Sequence, residues 1–282
     1  MQVYEKRLDI VTDVATFKTE KKTIGFIPTM GALHKGHLAL VERALEENDI
    51  AVVSVFVNPT QFNNSEDLVK YPRTLDSDVE LLSGLSDKII VFAPTPNEVY
   101  GPQMASISYN FDGLENEMEG KFRPGHFDGV GTVLKHLFTI VSPSRAYFGE
   151  KDFQQLQIVR KLVEIEKMSV QIVGCPIYRE PSGLALSSRN KRLTEVQLEA
   201  APLIHKVLKQ VKKDFGTESV IKLNEWVSEQ FENNEILELE YFEIAKVSDL
   251  KSITKKDNDT KYRAFIAVFA GKIRLIDNIA LN

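Results

Sequence analysis

The sequence predicts an α/β protein in which a doubly wound parallel sheet is followed by a smaller C-terminal α+β domain. Over residues 1–175, short β-rich runs alternate with helical patterns, as in parallel strands that are joined by helices. The run 50–57 (IAVVSVFV) is apolar throughout, which is typical of a parallel strand covered on both faces. After residue 175 the pattern changes to helices followed by an antiparallel meander, which indicates a second domain over 176–282.

Each element follows from its local pattern. In the first domain we predict strands at 23–28, 50–57, 88–93 and 145–149, and helices at 37–47, 132–141 and 153–166. In the second we predict helices at 195–213 and 219–233, and strands at 237–244, 262–270 and 273–277, the last two joined by a hairpin turn at Gly271 and Lys272. Ligands bind beyond the carboxyl ends of the strands in such sheets, so residues that follow strands are the functional candidates.

Composition excludes several classes of protein. With 35 basic and 40 acidic residues the formal net charge is −5, whereas nucleic-acid-binding proteins carry a basic surplus. Cys175 is the only cysteine, so an intrachain disulfide is impossible and a reducing compartment is expected. No apolar run approaches the roughly 20 residues needed to span a bilayer, and the N-terminus lacks the apolar stretch of a signal peptide. We therefore expect a cytoplasmic protein that binds neither nucleic acid nor membrane.

The most informative segment is 28–38 (PTMGALHKGHL), which follows the first predicted strand and opens the first predicted helix. A helix N-terminus offers unpaired N–H groups and a positive dipole end, so it suits phosphate. Gly31 and Gly36 allow close approach of the backbone. His34 and His37 are three residues apart, so they share a helical face and both could donate to a triphosphate. They could instead ligate zinc, although no other Cys/His cluster completes such a site, or simply begin a helix.

Two neutral amides follow the second strand in FVNPTQF (56–62). Asn58 and Gln61 can both donate and accept, so they suit a ligand that carries hydroxyls and a carboxylate. The alternative is an ordinary Asn-Pro turn.

Two further polar stretches also lie where a ligand would bind. In FGEKDFQQL (148–156), Gly149 permits a tight turn, Lys151 can meet phosphate, and Asp152 could accept from ribose hydroxyls or only cap a helix. In GLALSSRN (183–190), two hydroxyls beside Arg189 form an anion-binding set, or a loop with surface charges.

Taken together, PTMGALHKGH, FVNPTQF, YPRTLDSD, RPGHFDGV, FGEKDFQQL and GLALSSRN strongly resemble the pantothenate synthetase family, in that family's order over residues 28–190. HxGH alone is the signature of a wider nucleotidyltransferase superfamily, and the other motifs make the resemblance specific. The C-terminal 90 or so residues add little beyond a compatible size and pattern.

The resemblance implies a role for each matching residue. The ATP-binding residues would be Met30, Gly31, Ala32, Leu33, His34, Lys35, Gly36, His37, Gly149, Glu150, Lys151, Asp152, Tyr178 (through its backbone), Leu186, Ser187, Ser188 and Arg189. The catalytic residues among them would be His37, His34, Lys151, Ser187, Ser188 and Arg189, with His37 as the better candidate for proton donor. Asn58, Gln61 and Gln155 would bind pantoate or β-alanine.

The resemblance also implies the reaction and its partners. Pantoate would attack the α-phosphate of ATP to give pantoyl-adenylate and pyrophosphate, and β-alanine would then displace AMP to give pantothenate. Neither step needs a protein nucleophile, so catalysis would consist of positioning and charge stabilisation. Magnesium (Mg2+) would accompany ATP through phosphate oxygens and water, without a protein metal ligand. The resemblance further implies a Rossmann-like N-terminal domain that holds ATP, a smaller C-terminal lid domain that closes over it, and a homodimer.

Two other functions are compatible with parts of the pattern. A nucleotidyltransferase acting on a phosphorylated acceptor would share HxGH, but Asn58, Gln61 and Gln155 favour an acceptor without phosphate. A catalytically inactive nucleotide sensor would be expected to have lost a phosphate-site residue, and none is missing.

Three other features carry weaker expectations. The polar segment 62–78 is a candidate mobile lid. The turn that contains His126 is expected to border the site on the basis of the resemblance, and otherwise to be a structural loop. His136 and His205 lie in helical patterns and are expected to be structural.

Overall fold

The computed structural model describes residues 1–61, 68–69 and 71–282. Two compact units are formed by these residues. The N-terminal unit comprises 1–111, 119–150 and 155–176, and the C-terminal unit comprises 112–118, 151–154 and 177–282. The candidate lid at 62–78 includes 62–67 and 70, which lie outside the described residues, so the lid stays a prediction.

Within the described residues, the N-terminal unit contains a six-stranded sheet in which every pairing is parallel. Its strands are β1 (Gln2–Tyr4), β2 (Ile24–Thr29), β3 (Ile50–Val55), β4 (Ile89–Phe92), β5 (Arg145–Gly149) and β6 (Gln171–Cys175). Their order is β1-β4-β3-β2-β5-β6. From β2 the chain adds β3 and then β4 on one side and β5 and then β6 on the other, while β1 lies at the edge beside β4. This topological switch point places a crevice at the carboxyl ends of β2 and β5.

Helices connect these strands and continue into the C-terminal unit. In chain order they are α1 (Arg7–Thr19), α2 (Lys35–Glu47), α3 (Leu75–Ser83), α4 (Pro96–Tyr100), α5 (Met118–Phe122), α6 (His126–Val141), α7 (Phe153–Ile165), α8 (Glu195–Ala200), α9 (Leu203–Asp214) and α10 (Val220–Glu232). None of the helices among the described residues is both long enough and apolar enough to cross a membrane.

The burial of β3 on both sides of the sheet explains why its sequence is almost entirely apolar. In β3, the side chains of Ala51, Val52 and Val53 are fully buried although neighbouring residues face opposite sides of the sheet. Both faces of this central strand are therefore covered, as predicted. α6 is apolar over most of its surface, and twelve of its sixteen residues are buried.

The C-terminal unit is built on an antiparallel sheet, β7 (Leu237–Lys246), β8 (Tyr262–Ala270) and β9 (Ile273–Ala280), in the order β7-β8-β9. Gly271 has φ +60° between β8 and β9, and Ala270 pairs with Ile273, so the predicted hairpin is present. α9 and α10 contribute apolar side chains to one core together with this sheet.

The fold class is as predicted, with one clear error in the helices. The single helix expected at 195–213 is interrupted between α8 and α9, at Ala201 and Pro202. Pro202 has no N–H to donate to the carbonyl four residues earlier, and its ring crowds that carbonyl, so the helix ends before it and a new helix begins after it. The predictions also omitted β1, β6, α1, α3, α4 and α5, which are short or lack a strong period.

Candidate active site

The loop after β2 has an unusual backbone conformation. Gly31 has φ +83° and the next residue, Ala32, has φ +52°, which is costly for a residue with a Cβ atom. A Cβ atom on Gly31 would lie 3.0 Å from both Asp78 Oδ2 and Val55 Cγ1, so glycine is needed there for space as well as for its φ. Such a conformation persists only where the surroundings hold it.

Asp78, in the first turn of α3, holds this loop. Its carboxylate accepts hydrogen bonds from the backbone N–H groups of Ala32 (3.0 Å to Oδ2) and Leu33 (2.7 Å to Oδ1), and from the hydroxyl of Thr74 (3.2 Å). The side chain is buried, with 1% exposure. A buried carboxylate that accepts backbone N–H groups is a strong, charge-assisted anchor. We therefore assign the shape of the loop to Asp78, which the sequence analysis left out of the site although it lies in the YPRTLDSD motif.

The loop leads into the N-terminus of α2, where the two predicted histidines meet. His34 is the N-cap residue, with φ −147°, so it lies just outside the helix, whereas His37 lies in the first turn. Their rings stack with centroids 4.0 Å apart and an interplanar angle of 20°. The described first turn of α2 contains no acidic side chain to offset the positive end of the helix dipole. An anion is the ligand that this arrangement favours.

A polar cluster follows β3, as the sequence predicted. The Nδ2 group of Asn58 donates to Gln61 Oε1 (3.1 Å) and to the carbonyl of Gly129 (3.2 Å), while its Oδ1 accepts from the hydroxyl of Tyr100 (2.6 Å). Gln61 Nε2 in turn donates to Met30 Sδ (3.1 Å), which joins this cluster to the loop after β2.

These bonds separate the roles of the two amides. Asn58 is 1% exposed, and both of its Nδ2 hydrogens and its Oδ1 are engaged within the protein. Burial raises the pKa of the Tyr100 phenol, so its hydroxyl stays protonated as the donor to Asn58. Gln61 is only half-buried. We infer that Asn58 acts by holding Gln61, and that Gln61 is the amide available to a ligand.

The helix α6 packs directly on this cluster. A Cβ atom on Gly129 would lie 2.5 Å from the Thr60 carbonyl oxygen, so only glycine permits the approach. His126 Nδ1 lies 3.0 Å from the carbonyl oxygen of Gln61, and the His126 side chain is buried. The turn predicted to border the site therefore contacts Gln61 through its backbone.

We predict that Gly129→Ala lowers stability and weakens use of the substrate that Gln61 contacts. The new methyl group would collide with the Thr60 carbonyl and push α6 away, at a cost of about 1–3 kcal/mol. Chemical denaturation and the KM for each substrate would measure both effects. Gly131→Ala on the same helix is the matched control, since its Cβ atom would meet only aromatic side-chain atoms of Tyr109 and Phe111, at 3.1 Å. Equal losses in the two variants would contradict this role of Gly129.

In the C-terminal unit, three of the predicted phosphate-side residues line one cleft. Lys151, Ser187 and Arg189 surround it together with Asn190 and Arg274. Ser187 caps the turn Ser188–Arg192 by accepting from the backbone N–H of Arg189 (3.3 Å). Cationic side chains beside a hydroxyl and an amide form a set suited to phosphate oxygens.

Asp277 also lines this cleft, but the guanidinium of Arg179 neutralises its negative charge. Arg179 donates to both of its carboxylate oxygens, over 2.6 and 2.9 Å, in a bidentate pair that is mostly buried. His205 Nδ1 lies 3.9 Å from Asp277 Oδ2, and burial lowers the pKa of His205, so its ring is neutral near pH 7. Because Arg274 is paired with Glu240, over 2.8 Å from Nε to Oε2, the positive charge that lines the cleft comes from Lys151 and Arg189.

The remaining predicted residues lie as follows. In the N-terminal unit, Gly149 ends β5 at the switch point, Glu150 begins a 3-10 turn, Gln155 is half-buried in α7, and Lys35 is exposed on α2. Gln155 makes no side-chain hydrogen bond to the described part of the chain, so its amide is available to a ligand.

In the C-terminal unit, Asp152 lies beside Lys151, with 3.5 Å between Lys151 Nζ and Asp152 Oδ1. The backbone carbonyl of Tyr178 accepts from the N–H of Leu186 (3.0 Å), which joins two predicted nucleotide contacts. The other two histidines, His136 and His205, are half-buried within helices, and their structural role stays a prediction. His136 packs edge-on against Tyr100, with ring centroids 5.1 Å apart, and burial lowers its pKa.

Comparison with known proteins gives one consistent result. Residues 2–280 match the family model described as pantoate-beta-alanine ligase. The pantothenate synthetases of Flavobacterium psychrophilum and Christiangramia forsetii are 56% and 55% identical to the chain over 282 residues, which is the whole of each sequence.

Solved structures agree with this. Pantothenate synthetase from Thermus thermophilus superposes with a TM-score of 0.90 at 37% identity, over 100% of this chain and 99% of that one. The pantoate-beta-alanine ligase of Francisella tularensis, complexed with beta-gamma ATP and β-alanine, gives a TM-score of 0.81 at 35% identity, over 100% and 98% of the two chains. The chain therefore belongs to the pantoate–β-alanine ligase family, and the resemblance found in its motifs is confirmed.

Proposed function

We propose that this pantoate–β-alanine ligase carries out its two half-reactions with the residues described above. The enzyme condenses pantoate with β-alanine at the expense of ATP, through a pantoyl-adenylate, and releases pyrophosphate and AMP. In the first half-reaction the pantoate carboxylate attacks the α-phosphate. In the second, the amine of β-alanine attacks the mixed anhydride.

The observation that carries the proposed nucleotide site is the stacked histidine pair at the N-terminus of α2. It follows β2 at the topological switch point, where the helix dipole and the imidazole N–H groups favour an anion. We assign His37 and His34 to the phosphates, with His37 as proton donor to the leaving pyrophosphate. Donors placed where charge develops stabilise the transition state without reorganisation.

The other predicted residues take complementary roles in this proposal. The phosphate side of ATP is bound by Lys151, Ser187, Ser188 and Arg189. All of these except Ser188 line the positively charged cleft of the C-terminal unit. Gln61 and Gln155 bind pantoate or β-alanine, and Asn58 supports Gln61. The stretches 30–37 and 149–152, with the backbone near Tyr178 and Leu186, hold the rest of ATP.

Magnesium belongs with the nucleotide in this proposal. The described residues include no cluster of three or more His, Cys, Asp and Glu side chains that could hold a metal ion. We propose that the ion arrives with ATP and is bound mainly by phosphate oxygens and water, which is the usual coordination of Mg2+. Such an ion neutralises charge on the transferring phosphate.

Two expectations about organisation remain part of the proposal. Residues 1–175 act as the domain that binds ATP and pantoate, and 176–282 as a smaller lid domain. The enzyme works as a homodimer in the cytoplasm, with ATP, pantoate and β-alanine as its partners and without nucleic acid or membrane. A net charge of −5 and a single cysteine are compatible with this.

The experiment that tests the proposal separates the half-reactions. Pyrophosphate release is measured from MgATP with pantoate alone, and AMP formation after β-alanine is added. We expect pyrophosphate only when pantoate is present, and AMP with pantothenate only when β-alanine follows. ATP binding without pantoate-dependent pyrophosphate release would overturn the proposed reaction and favour a nucleotidyltransferase with another acceptor.

A further inference from the structure

We propose that Asn278, a residue of β9, is a positioning residue that fixes the backbone of Lys151. The inference rests on the proposed function, in which Lys151 contacts the nucleotide phosphates. The side-chain Nδ2 group of Asn278 donates a hydrogen bond of 2.8 Å to the backbone carbonyl of Lys151, across 127 positions of the chain. Asn278 is 2% exposed, so water does not compete for this bond.

The orientation of the Asn278 amide is determined by its second partner. Its Oδ1 accepts a hydrogen bond from the guanidinium of Arg263, which is itself 8% exposed. Turning the amide over would place Oδ1 against the Lys151 carbonyl and the NH2 group against the guanidinium, two repulsive pairs. Among side chains of this size, only asparagine donates to the one partner while it accepts from the other.

The residues that follow Lys151 are held by the same part of the C-terminal unit. The guanidinium carbon of Arg263 lies 3.9 Å from the centroid of the Phe153 ring, and that ring packs against Phe265 with centroids 6.0 Å apart. Gln154 Nε2 donates to the carbonyls of Leu114 (2.8 Å) and Glu117 (2.7 Å). Arg263 therefore links the carbonyl of Lys151, through Asn278, to the ring two residues later.

This arrangement fixes the backbone from which the long Lys151 side chain extends. A lysine side chain loses much rotational freedom when it is held on a phosphate, and a mobile backbone would add to that loss. Asn278 also follows Asp277, which lines the cleft with Lys151, and the backbone N–H of Asn278 donates to Asp277 Oδ1 over 2.7 Å. Asn278 thus acts on ATP through Lys151, without contacting ATP.

The test uses Asn278→Asp in the full-length enzyme. Aspartate still accepts from Arg263, but it places a carboxylate oxygen against the Lys151 carbonyl in place of a donor. We expect the dissociation constant of MgATP, measured by titration calorimetry without pantoate, to rise about tenfold. Asn278→Ala takes its place in the same measurements should the aspartate variant not fold.

Asn282→Asp is the matched control. Asn282 is another two-sided asparagine beyond the end of β9, whose Nδ2 donates to the Thr260 carbonyl and whose Oδ1 accepts from the Tyr262 N–H, both over 2.8 Å. Because these partners lie outside the cleft, we expect this variant to bind MgATP as the native enzyme does. An equal loss in both variants would overturn the inference, since it would show a general effect on the C-terminal sheet.

A double-mutant cycle with Lys151→Ala distinguishes positioning from a structural role. If Asn278 acts through Lys151, Asn278→Asp has little further effect on MgATP affinity once the lysine side chain is gone. The same fold-loss in both backgrounds, or normal affinity in Asn278→Asp, would overturn the inference and leave the proposed function intact. Normal affinity in Lys151→Ala would instead remove Lys151 from the proposed phosphate site, and the inference with it.

Discussion

Replacing His37 by alanine is expected to slow pantoate-dependent pyrophosphate release by a hundredfold or more, on the order expected for one lost transition-state donor. His37 lies in the first turn of α2, where its ring stacks on His34 and the dipole end of the helix points to the nucleotide in the proposed complex. Pre-steady-state release of pyrophosphate from MgATP and pantoate measures this step without the second half-reaction.

His37→Gln is the informative companion variant. Glutamine can still donate a neutral hydrogen bond but cannot supply a proton, so we expect it to recover part of the stabilisation and none of the proton transfer. Arg43→Ala, about two turns further along the same helix, controls for effects on α2 itself, since Arg43 pairs with Glu47 over 2.9 Å. Near-normal pyrophosphate release by His37→Ala would remove His37 from the catalytic residues.

Asp78→Ala is expected to have the largest effect on stability, a loss of roughly 2–5 kcal/mol. Removing the carboxylate leaves the buried N–H groups of Ala32 and Leu33 unsatisfied, and each such group costs about 1–3 kcal/mol. The loop would also lose the anchor that keeps Ala32 at positive φ. Chemical denaturation measures the stability. Titration of the folded fraction with MgATP measures the nucleotide affinity, which we expect to fall more than tenfold.

Asp76→Ala provides the control for Asp78. Asp76 lies in the same first turn of α3 but is exposed, so its removal takes away only its favourable interaction with the helix dipole, about 0.3–1 kcal/mol. If the two alanine variants lose the same stability, or if Asp78→Ala binds MgATP normally, then Asp78 does not shape the nucleotide loop.

Much of the N-terminal unit could be predicted because its signals are local. β5 was predicted with its observed bounds, and the run 50–57 identified β3, because an apolar run of strand length has few other interpretations. The helix predicted at 195–213 failed on a local rule that was available, the effect of Pro202 within a helical pattern. β1 has only three residues, too few for any periodicity to be recognised.

The residues of the candidate site also differ in whether a local sequence signal reveals them. The histidines, Lys151 and Arg189 could be predicted as site residues because their chemistry and their position after a strand or at the start of a turn are visible in the sequence, and their roles stay predictions. Asn58 was predicted as a ligand contact, and that role stays a prediction. Its bonds to Tyr100 and to the Gly129 carbonyl, 42 and 71 positions away, could not be read from the sequence.

The sequence by itself determined the fold class, the family and the reaction, because motif residues keep fixed chemistry and fixed spacing along a chain. Only the tertiary structure decided which residues hold the site in shape. Asp78 reaches the loop after β2 across 46 positions, and Asn278 reaches Lys151 across 127. Such hydrogen bonds depend on how strands and helices pack. Their partners have no fixed spacing along the chain, because a buried Asp or Asn at a different position could make the same bonds if the elements packed differently.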